Sequence, residues 1–388
     1  MCGRRIGLRA YPCEMRLTML GTRGVPASYS GFETCVEQVG KRLVARGHRV
    51  LVYCRAGQPG AAGDHYLGME RVVLPAIKTK GLETLTHSAL STAHALTRDH
   101  PDAVVIFGVG NAVFARAFRL AHIPVAINVD GADWARRKWG GLGRRYLRWS
   151  EGAAARLANA VIADSHTVAA YYDREYRRQS TYIPYGAEVP SAVGTATLQS
   201  FGLKPRGYFL AVGRFVPENG MHHLIAAYAR VSPSIPFVIV GDAPYSEDYK
   251  RQLRKIAPPN VIFTGYQFGA AYQELSANAF AFLFGAEVGG THPVLVEQLA
   301  YGNCVIARWT ESNAEVAADA AIMYRDPETE LPGAIESLLS DADLVNRMRE
   351  RARNRAQAYS WDRITDEYER LLAGLTGSTV RGATSGVA

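Results

Sequence analysis

The chain has 388 residues, of which 48% are hydrophobic and 21% charged, and it contains 37 glycines. This length exceeds what one hydrophobic core normally supports, so two domains are expected, and the composition excludes collagen-like and intrinsically disordered proteins. The formal net charge of +8 suits an anionic partner, such as nucleic acid, a lipid surface or a phosphorylated small molecule, without choosing among them.

The five cysteines are odd in number, widely spaced and free of any CxxC pair, which predicts neither a disulfide framework nor a zinc site. The sequence contains no apolar run of about 18 residues, so no membrane span is predicted. Residues 1–14 carry basic side chains but no apolar stretch and no periodicity, so they are predicted to be a non-native or disordered extension before Met15. These features predict a cytoplasmic protein.

The first half of the chain predicts a parallel sheet wound by helices. Arg16–Leu20 indicates a buried strand, a glycine-rich loop follows, and apolar side chains from Phe32 to Leu43 recur at helical spacing before a second strand at Arg49–Tyr53. Further short β-rich runs lie at 104–107, 125–128 and 160–163, with helical stretches between them.

The segment from Pro184 to Thr197 contains prolines and glycines that break any period, which predicts a linker and a domain boundary near residue 186. The α/β pattern then restarts, with strands predicted at 208–212, 237–240, 261–264, 281–284 and 304–307, a helix from Met221, and helices at 342–359 and 361–375. The predicted domains are therefore 15–185 and 186–375, followed by a disordered tail over 376–388.

Three strand-to-helix loops are candidates for the functional site, because ligands of open parallel sheets bind at the carboxyl ends of strands. In the loop from Gly21 to Gly31, the amides around Gly24 and Gly31 offer a phosphate site, although such turns are as often only tight connections. The loop lacks the GxGxxG spacing of dinucleotide-binding folds, which disfavours a dehydrogenase.

The second loop, Val212 to Gly220, places Arg214 between a strand and a helix, where its planar donors are suited to a diphosphate. The alternative is an ordinary surface arginine at a strand end.

The third loop, Phe284 to Asn303, is the most informative. A helix predicted to begin near Pro293 leaves the amides of Gly290, Thr291 and His292 free for an anion or a sugar hydroxyl.

One turn into this helix, Glu297 offers a carboxylate that is able to accept hydrogen bonds from ribose hydroxyls; the alternative is a solvated helix glutamate. Nucleotide-sugar epimerases and dehydrogenases are disfavoured because the chain also lacks a Tyr-x-x-x-Lys pair.

The loops together resemble the retaining GT-B glycosyltransferases of the family that includes sucrose synthases and mannosyltransferases, and especially bacterial rhamnosyltransferases of polysaccharide assembly. The matching motifs are Gly21-Thr-Arg-Gly-Val-Pro26, Ser30-Gly-Phe-Glu-Thr34, Arg46-Gly-His48, Val129-Asp-Gly131, Ala163-Asp-Ser165, Val212-Gly-Arg214 and Val288-Gly-Gly-Thr291. This resemblance covers residues 15–372. It implies two Rossmann-like domains facing across a cleft, with a nucleoside-diphosphate sugar held by the C-terminal one.

The resemblance also implies roles for individual residues. Glu297 occupies the second position of the family's Glu-x7-Glu motif, the ribose ligand, but the first position is Gly289, and Glu287 cannot be assumed to replace it. Arg214 matches the family's diphosphate arginine, whereas Asn219 stands where lysine is expected. We interpret both departures as features of the rhamnosyltransferase-like subgroup, so Gly289 and Asn219 remain candidate donor contacts.

Asp130 falls where many family members carry a histidine near the reacting sugar, which implies a contact to a sugar hydroxyl or to the acceptor; a strand-end turn aspartate is the alternative. The segment from Trp134 to Trp149 mixes aromatic and basic side chains and is predicted to bind an anionic membrane surface or the acceptor. A structural helix is an equally good interpretation, and a nucleic-acid patch is disfavoured because no nucleic-acid fold motif accompanies it. Its candidate contacts are Trp134, Arg136, Arg137, Trp139, Arg144 and Arg145.

Asp341-Ala-Asp343 has the spacing of a metal motif, but its place before a helical run predicts helix capping, and no catalytic metal or other cofactor is expected. The predicted function is transfer of rhamnose or a similar hexose from a nucleoside diphosphate to a polyprenyl-diphosphate-linked or oligosaccharide acceptor. The expected location is the cytoplasm, including the inner face of the plasma membrane. The alternative is a non-catalytic, nucleotide-sugar-binding protein of the same fold.

Overall fold

The structure is a computed structural model that describes residues 14–27, 31–58, 60, 63–77, 79, 82–129, 131, 133–135, 140–189, 193–243 and 246–378. The predicted N-terminal extension, apart from Glu14, and the predicted tail beyond residue 378 lie outside the described residues.

The described chain contains fourteen strands and fourteen α-helices, which alternate over most of its length. The strands are β1 (Arg16–Leu20), β2 (Arg49–Arg55), β3 (His65–Tyr66), β4 (Met69–Leu74), β5 (Ala103–Phe107), β6 (Val125–Val129), β7 (Ala160–Ala163), β8 (Thr181–Tyr182), β9 (Phe209–Val212), β10 (Phe237–Val240), β11 (Val261–Gly265), β12 (Ala281–Phe284), β13 (Cys304–Arg308) and β14 (Ala321–Tyr324). The helices are α1 (Gly31–Ala45), α2 (Glu83–His94), α3 (Ala115–Leu120), α4 (Gly141–Leu157), α5 (His166–Tyr176), α6 (Ala196–Ser200), α7 (Met221–Val231), α8 (Glu247–Ile256), α9 (Gly269–Ala277), α10 (Pro293–Ala300), α11 (Glu311–Ala317), α12 (Leu331–Ser340), α13 (Ala342–Ala356) and α14 (Trp361–Thr376).

The strands form two sheets. The first has the order β3-β4-β2-β1-β5-β6-β7-β8 and the second β11-β10-β9-β12-β13-β14. In both, strand order reverses beside the first strand, between β1 and β5 and between β9 and β12, as in Rossmann folds. The ladder between β9 and β12 joins only Phe209 to Ala281 and Leu210 to Phe282, so the two strands separate toward their carboxyl ends. Ligands of such sheets bind where the order reverses.

The interior strands, such as β5 and β12, are apolar throughout because both faces of a parallel sheet are covered. In the second sheet, Phe209, Ile239 and Leu283 pack into one core layer with α7, α8 and α12. The intervening residues, such as Leu210 and Phe282, face the opposite layer with α10. Because both sets of side chains are buried, continuous apolar runs in the sequence predicted the interior strands of this sheet correctly.

The chain divides into two compact units, one of residues 1–129, 145–162 and 365–388, and the other of residues 130–144 and 163–364. Helix α14 therefore ends in the first unit, although the sequence placed residues up to 375 in the second domain. Within the first unit, Asn128 donates to the Tyr368 hydroxyl at 2.6 Å. Arg46 and His48 contact the Glu369 carboxylate at 2.5 and 3.0 Å. These polar contacts fix the last helix, and the predicted boundary near residue 186 stays a prediction.

No helix among the described residues combines the length and the apolar character needed to cross a membrane. The predicted capping role of Asp341 is confirmed, since its carboxylate accepts from the Leu344 amide at 2.8 Å at the start of α13.

Candidate functional site

In the second unit, the loop after β9 follows the strand that borders the reversal of strand order. Its backbone is fixed from within, because the Asn219 side-chain amide donates to the Arg214 carbonyl at 2.8 Å. The Glu287 amide donates to the Glu218 carbonyl at 2.9 Å, which ties this loop to the loop after β12. The two loops thus form one hydrogen-bonded surface at the carboxyl ends of β9 and β12.

Close backbone packing continues at the neighbouring strand. Gly241 follows β10 with φ +140°, and a Cβ there would collide with the Gly213 carbonyl oxygen. The Phe215 amide donates to the Asp242 carbonyl at 3.2 Å, so the loops after β9 and β10 are also joined. Only glycine fits at position 241, which is a packing requirement of the site rather than a contact to a ligand.

Arg214 is half-buried on this surface. Among the residues that the structure describes, no hydrogen bond or ion pair to its guanidinium group is present. A partly desolvated cation without a countercharge attracts anions, and the guanidinium geometry matches phosphate oxygens in particular. Arg214 is therefore well placed for the diphosphate role predicted from the sequence.

The turn Gly289 to His292 leads from β12 into α10. Gly289 has φ +143° and packs on the His292 ring, while a Cβ at Gly290 would collide with the Asp164 carboxylate. The Thr291 hydroxyl donates to the Asp164 carbonyl, within the same unit. The turn is thus held by Asp164, a contact that the sequence did not predict.

Helix α10 begins at Pro293, as predicted. The amides of Leu295 and Val296 donate to the His292 carbonyl, so the helix's own hydrogen bonds begin there. Amides ahead of that point are not part of the helical ladder, and the N-terminal end of a helix carries partial positive charge. The turn therefore presents the features that favour a bound anion.

Glu297 lies in the second turn of α10 and is half-buried. The Tyr272 hydroxyl of α9 donates to its carboxylate. Burial raises the pKa of Glu297 to about 7, and the hydrogen bond from Tyr272 opposes that rise by stabilising the charged form. The carboxylate is thus part of a specific hydrogen-bonded arrangement, not a freely solvated group, and Tyr272 is a site residue that sequence reasoning missed.

Glu287, considered as a substitute at the altered motif position, is exposed and lies 3.9 Å from the Arg308 guanidinium. Its backbone amide, rather than its carboxylate, is the group that joins the two loops. Whether the Glu287 carboxylate substitutes at the family position occupied by Gly289 stays a question for mutagenesis.

In the first unit, Gly24 lies in the loop after β1 with its amide donating to the Thr22 hydroxyl at 3.1 Å. The Arg23 amide donates to Glu33 at 2.9 Å, and the Ala27 amide to Glu37 at 2.8 Å. Gly31 is the first residue of α1. Since glutamates of α1 already occupy loop amides, this loop offers fewer free donors than the turn before α10, and donor binding by Gly24 and Gly31 stays a prediction.

Asp130, Arg136, Arg137 and Trp139 lie outside the described residues. Trp134 is described, and its indole donates to the Tyr171 hydroxyl at 3.2 Å, a structural contact. Helix α4 exposes the predicted Arg144 and Arg145 to solvent, together with Leu142 at 87% and Trp149 at 57%.

Among the residues that the structure describes, no cluster of three or more His, Cys, Asp or Glu side chains has the geometry of a metal site.

Two sequence families match the chain. Residues 198–355 match the family described as "Glycosyl transferases group 1", and residues 15–188 match "Domain of unknown function (DUF1972)". Among characterised relatives, the chain is 26% identical over 199 residues to N-acetylgalactosamine-N,N'-diacetylbacillosaminyl-diphospho-undecaprenol 4-alpha-N-acetylgalactosaminyltransferase of Campylobacter jejuni, covering 50% of this chain and 53% of that protein. It is 26% identical to phosphatidyl-myo-inositol mannosyltransferase of Mycolicibacterium smegmatis, covering 53% and 55%. The chain thus spans about half the length of these relatives.

Among solved structures, HepE of Anabaena in complex with UDP-glucose superposes with a TM-score of 0.76 at 20% identity, covering 93% of this chain and 100% of that one. The two Rossmann-like sheets and this likeness define a protein of the GT-B fold class. More specifically, residues 198–355, which match the model of the glycosyl transferases group 1 family, carry Arg214, the turn before α10 and Glu297.

Proposed function

We propose that this protein is a glycosyltransferase that moves a sugar from a nucleoside-diphosphate donor to an acceptor in polysaccharide or glycolipid assembly. The observation that carries the proposal is Arg214, a half-buried cation without a protein partner among the described residues, at the point where strand order reverses. The family of residues 198–355 and the names of the relatives support the same activity.

The donor is positioned by three groups. The Arg214 guanidinium and the amides of the turn from Gly290 to His292 bind the diphosphate, because both present donors to an anion. Glu297 accepts hydrogen bonds from ribose hydroxyls. Asn219 contributes indirectly by fixing the Arg214 backbone through its 2.8 Å hydrogen bond.

Catalysis follows from electrostatic stabilisation of the leaving group. As the bond between the anomeric carbon and the distal phosphate oxygen breaks, negative charge grows on the diphosphate beside Arg214 and the helix amides. The acceptor oxygen forms the new bond to the anomeric carbon on the same face, and its proton passes to the departing phosphate oxygen. This scheme retains the anomeric configuration and requires no metal ion from the protein.

The sugar we propose is rhamnose or a related hexose, which rests on the resemblance of the loop from Gly21 to Pro26 to rhamnosyltransferases. The relatives named above transfer N-acetylgalactosamine and mannose, so the transferred sugar is the first property to measure.

The acceptor we propose is a polyprenyl-diphosphate-linked saccharide at an anionic membrane surface. One relative is named for a diphospho-undecaprenol acceptor. On α4, Leu142, Arg145 and Trp149 follow helical spacing and are exposed, with Arg144 beside them. Aromatic and cationic side chains on one helix surface suit the interface of an anionic bilayer.

The test is a panel of UDP, GDP, ADP, CDP and dTDP measured by calorimetry, followed by transfer assays with the matching nucleotide sugars. We expect tight binding of one nucleotide, and a product whose anomeric configuration equals that of the donor. Binding without transfer or donor hydrolysis would favour the non-catalytic alternative. Binding of none of the five nucleotides would overturn the proposal.

A further inference from the structure

The Glu297 carboxylate is reached by a chain of hydrogen-bond donors that begins far from it in sequence. Arg206 donates to the Asn303 side-chain oxygen at 3.0 Å, and Asn303 donates to the Gln298 side-chain oxygen at 2.6 Å. Gln298 donates to the Tyr272 hydroxyl oxygen at 3.4 Å, and Tyr272 donates to Glu297. The chain thus connects a cation at one end to the carboxylate at the other.

The direction of this chain is fixed by chemistry. A guanidinium group has donors only, so Asn303 must turn its oxygen toward Arg206 and its nitrogen toward Gln298. The Gln298 oxygen then faces Asn303, which leaves its nitrogen facing Tyr272. Because the Tyr272 oxygen accepts from Gln298, its proton is directed at Glu297.

Burial makes the arrangement rigid. Gln298 and Asn303 are both 0% exposed, as is Ser276 of α9, which anchors them. The Ser276 hydroxyl accepts from Gln298 at 2.9 Å, and its carbonyl accepts from Asn303 at 2.7 Å. An amide flip would leave buried polar groups unpaired, which is unfavourable, so the orientation is strongly preferred.

We propose that Tyr272 is a positioning residue for donor binding: it holds one oxygen of the Glu297 carboxylate and leaves the other oxygen to accept from the ribose. This inference rests on the proposed function, since it assigns a role to a group that orients the proposed ribose ligand. Tyr272 has no place in the motif pattern read from the sequence.

The hydrogen bond has a second effect, on charge. Burial raises the pKa of Glu297 to about 7, and donation from Tyr272 counteracts part of that rise. Tyr301, at the C-terminal end of α10, is also close by: burial raises its pKa, and the Glu297 charge adds to that rise. Tyr301 is not among the causes that shift the pKa of Glu297, which are burial and the Tyr272 hydrogen bond. Removal of the Tyr272 hydroxyl therefore raises the pKa of Glu297 and leaves less of the carboxylate ionised near neutral pH.

The size of the effect follows from a loss of about one pKa unit, which is typical of one hydrogen bond to a charged group. At pH 7 the ionised fraction of Glu297 would fall from about one half to about one tenth, and at pH 9 it would change by only about a tenth. Tyr272→Phe is thus expected to weaken nucleotide binding about fivefold at pH 7 and less than twofold at pH 9.

The experiment measures the dissociation constant across pH 6 to 9 for whichever of UDP, GDP, ADP, CDP and dTDP the wild-type protein binds most tightly. Glu297→Gln supplies the baseline, because it reports the titration of the nucleotide's own phosphate. Tyr301→Phe is the matched control: it removes a nearby tyrosine hydroxyl of α10 and should leave the wild-type profile unchanged. In the Glu297→Gln variant, adding Tyr272→Phe should cause little further loss of nucleotide affinity, because position 297 no longer carries an ionisable carboxylate.

A Tyr272→Phe profile identical to that of the wild type overturns the inference. So does a loss of affinity that is equal at all pH values, accompanied by a lower melting temperature, because that is the signature of a merely structural tyrosine. Failure of the wild-type protein to bind any of the five nucleotides overturns the proposed function instead, so the two failures are distinguishable.

Discussion

Replacing Arg214 with glutamine is expected to separate donor binding from folding. The guanidinium group has no hydrogen bond or ion pair among the described residues, so its removal breaks no interaction there that holds the fold together. Substitutions of this kind change the free energy of unfolding by at most about 0.5 kcal/mol. Urea denaturation of Arg214→Gln should therefore match the wild type.

Nucleotide binding should respond very differently. Each hydrogen bond from a guanidinium group to a diphosphate contributes about 1.5–3 kcal/mol to the binding free energy. In the variant, water partly replaces the two lost hydrogen bonds, so the net loss is smaller than their sum. A net loss of about 2.7 kcal/mol corresponds to a dissociation constant about 100-fold higher. Calorimetric titration with the nucleoside diphosphate that binds the wild type gives this value directly.

Arg254→Gln is the matched control. Arg254 is an exposed arginine in the last turn of α8, and among the described residues its side chain makes no hydrogen bond or ion pair with the loops after β9 and β12. Its replacement removes the same charge and should leave affinity within about twofold. Equal losses in both variants would show that only net charge matters, and unchanged affinity in Arg214→Gln would remove Arg214 from the site.

Four further outcomes are expected. Gly241→Ala should lower the free energy of unfolding by about 2 kcal/mol or more in urea denaturation, because its Cβ would collide with the Gly213 carbonyl at a positive φ; a stable variant would contradict the observed packing. Burial would raise the pKa of Glu369, but hydrogen bonds from His48 and Arg46 outweigh it and hold the pKa below the ordinary value. The ionised Glu369 therefore stabilises the fold above the pKa that it has in the unfolded chain, and this contribution is lost as pH falls below about 4.5. Glu369→Gln should therefore reduce the decrease in the free energy of unfolding at acidic pH. An unchanged decrease in the variant would refute this. Replacing both Arg144 and Arg145 with glutamine should reduce sedimentation with anionic liposomes at low salt while sparing nucleotide affinity; equal sedimentation of variant and wild type would make α4 a purely structural helix. EDTA should leave transfer activity unchanged, whereas a loss restored by magnesium or manganese would contradict the metal-independent scheme.

The sequence predicted the strands that lie inside the sheets and missed strands at or near their edges. Interior strands such as β5 are continuous apolar runs, which are distinctive. Strand β4 contains Glu70 and Arg71 in a partly exposed segment, so no apolar run marks it. Strand β14 is short and partly exposed at the edge of the second sheet. Exposure near a sheet edge weakens the apolar signal of these strands, although the sequence did predict the edge strand β11.

The candidate site was predicted where it depends on local pattern. Arg214 and Glu297 each follow a strand and a glycine-containing turn, which the sequence shows directly. Tyr272 is 25 residues before Glu297 on another helix, and nothing in the spacing links them. The return of α14 to the first unit brings together residues 240 positions apart, Asn128 and Tyr368, which no local pattern encodes.

The two departures from the family pattern have different physical meanings in the structure. At position 219, the asparagine amide donates to the Arg214 carbonyl and so fixes the loop that carries Arg214. A lysine there would supply a second cation, and its absence leaves Arg214 with a larger share of the positive charge for the proposed diphosphate. At position 289, glycine adopts φ +143° against the His292 ring, which shapes the turn whose amides precede α10. With these two residues, the proposed donor site has fewer charged side chains and relies more on Arg214 and on backbone donors. Loss of Arg214 should therefore reduce nucleotide affinity more in this protein than the same change does in a relative that keeps the lysine.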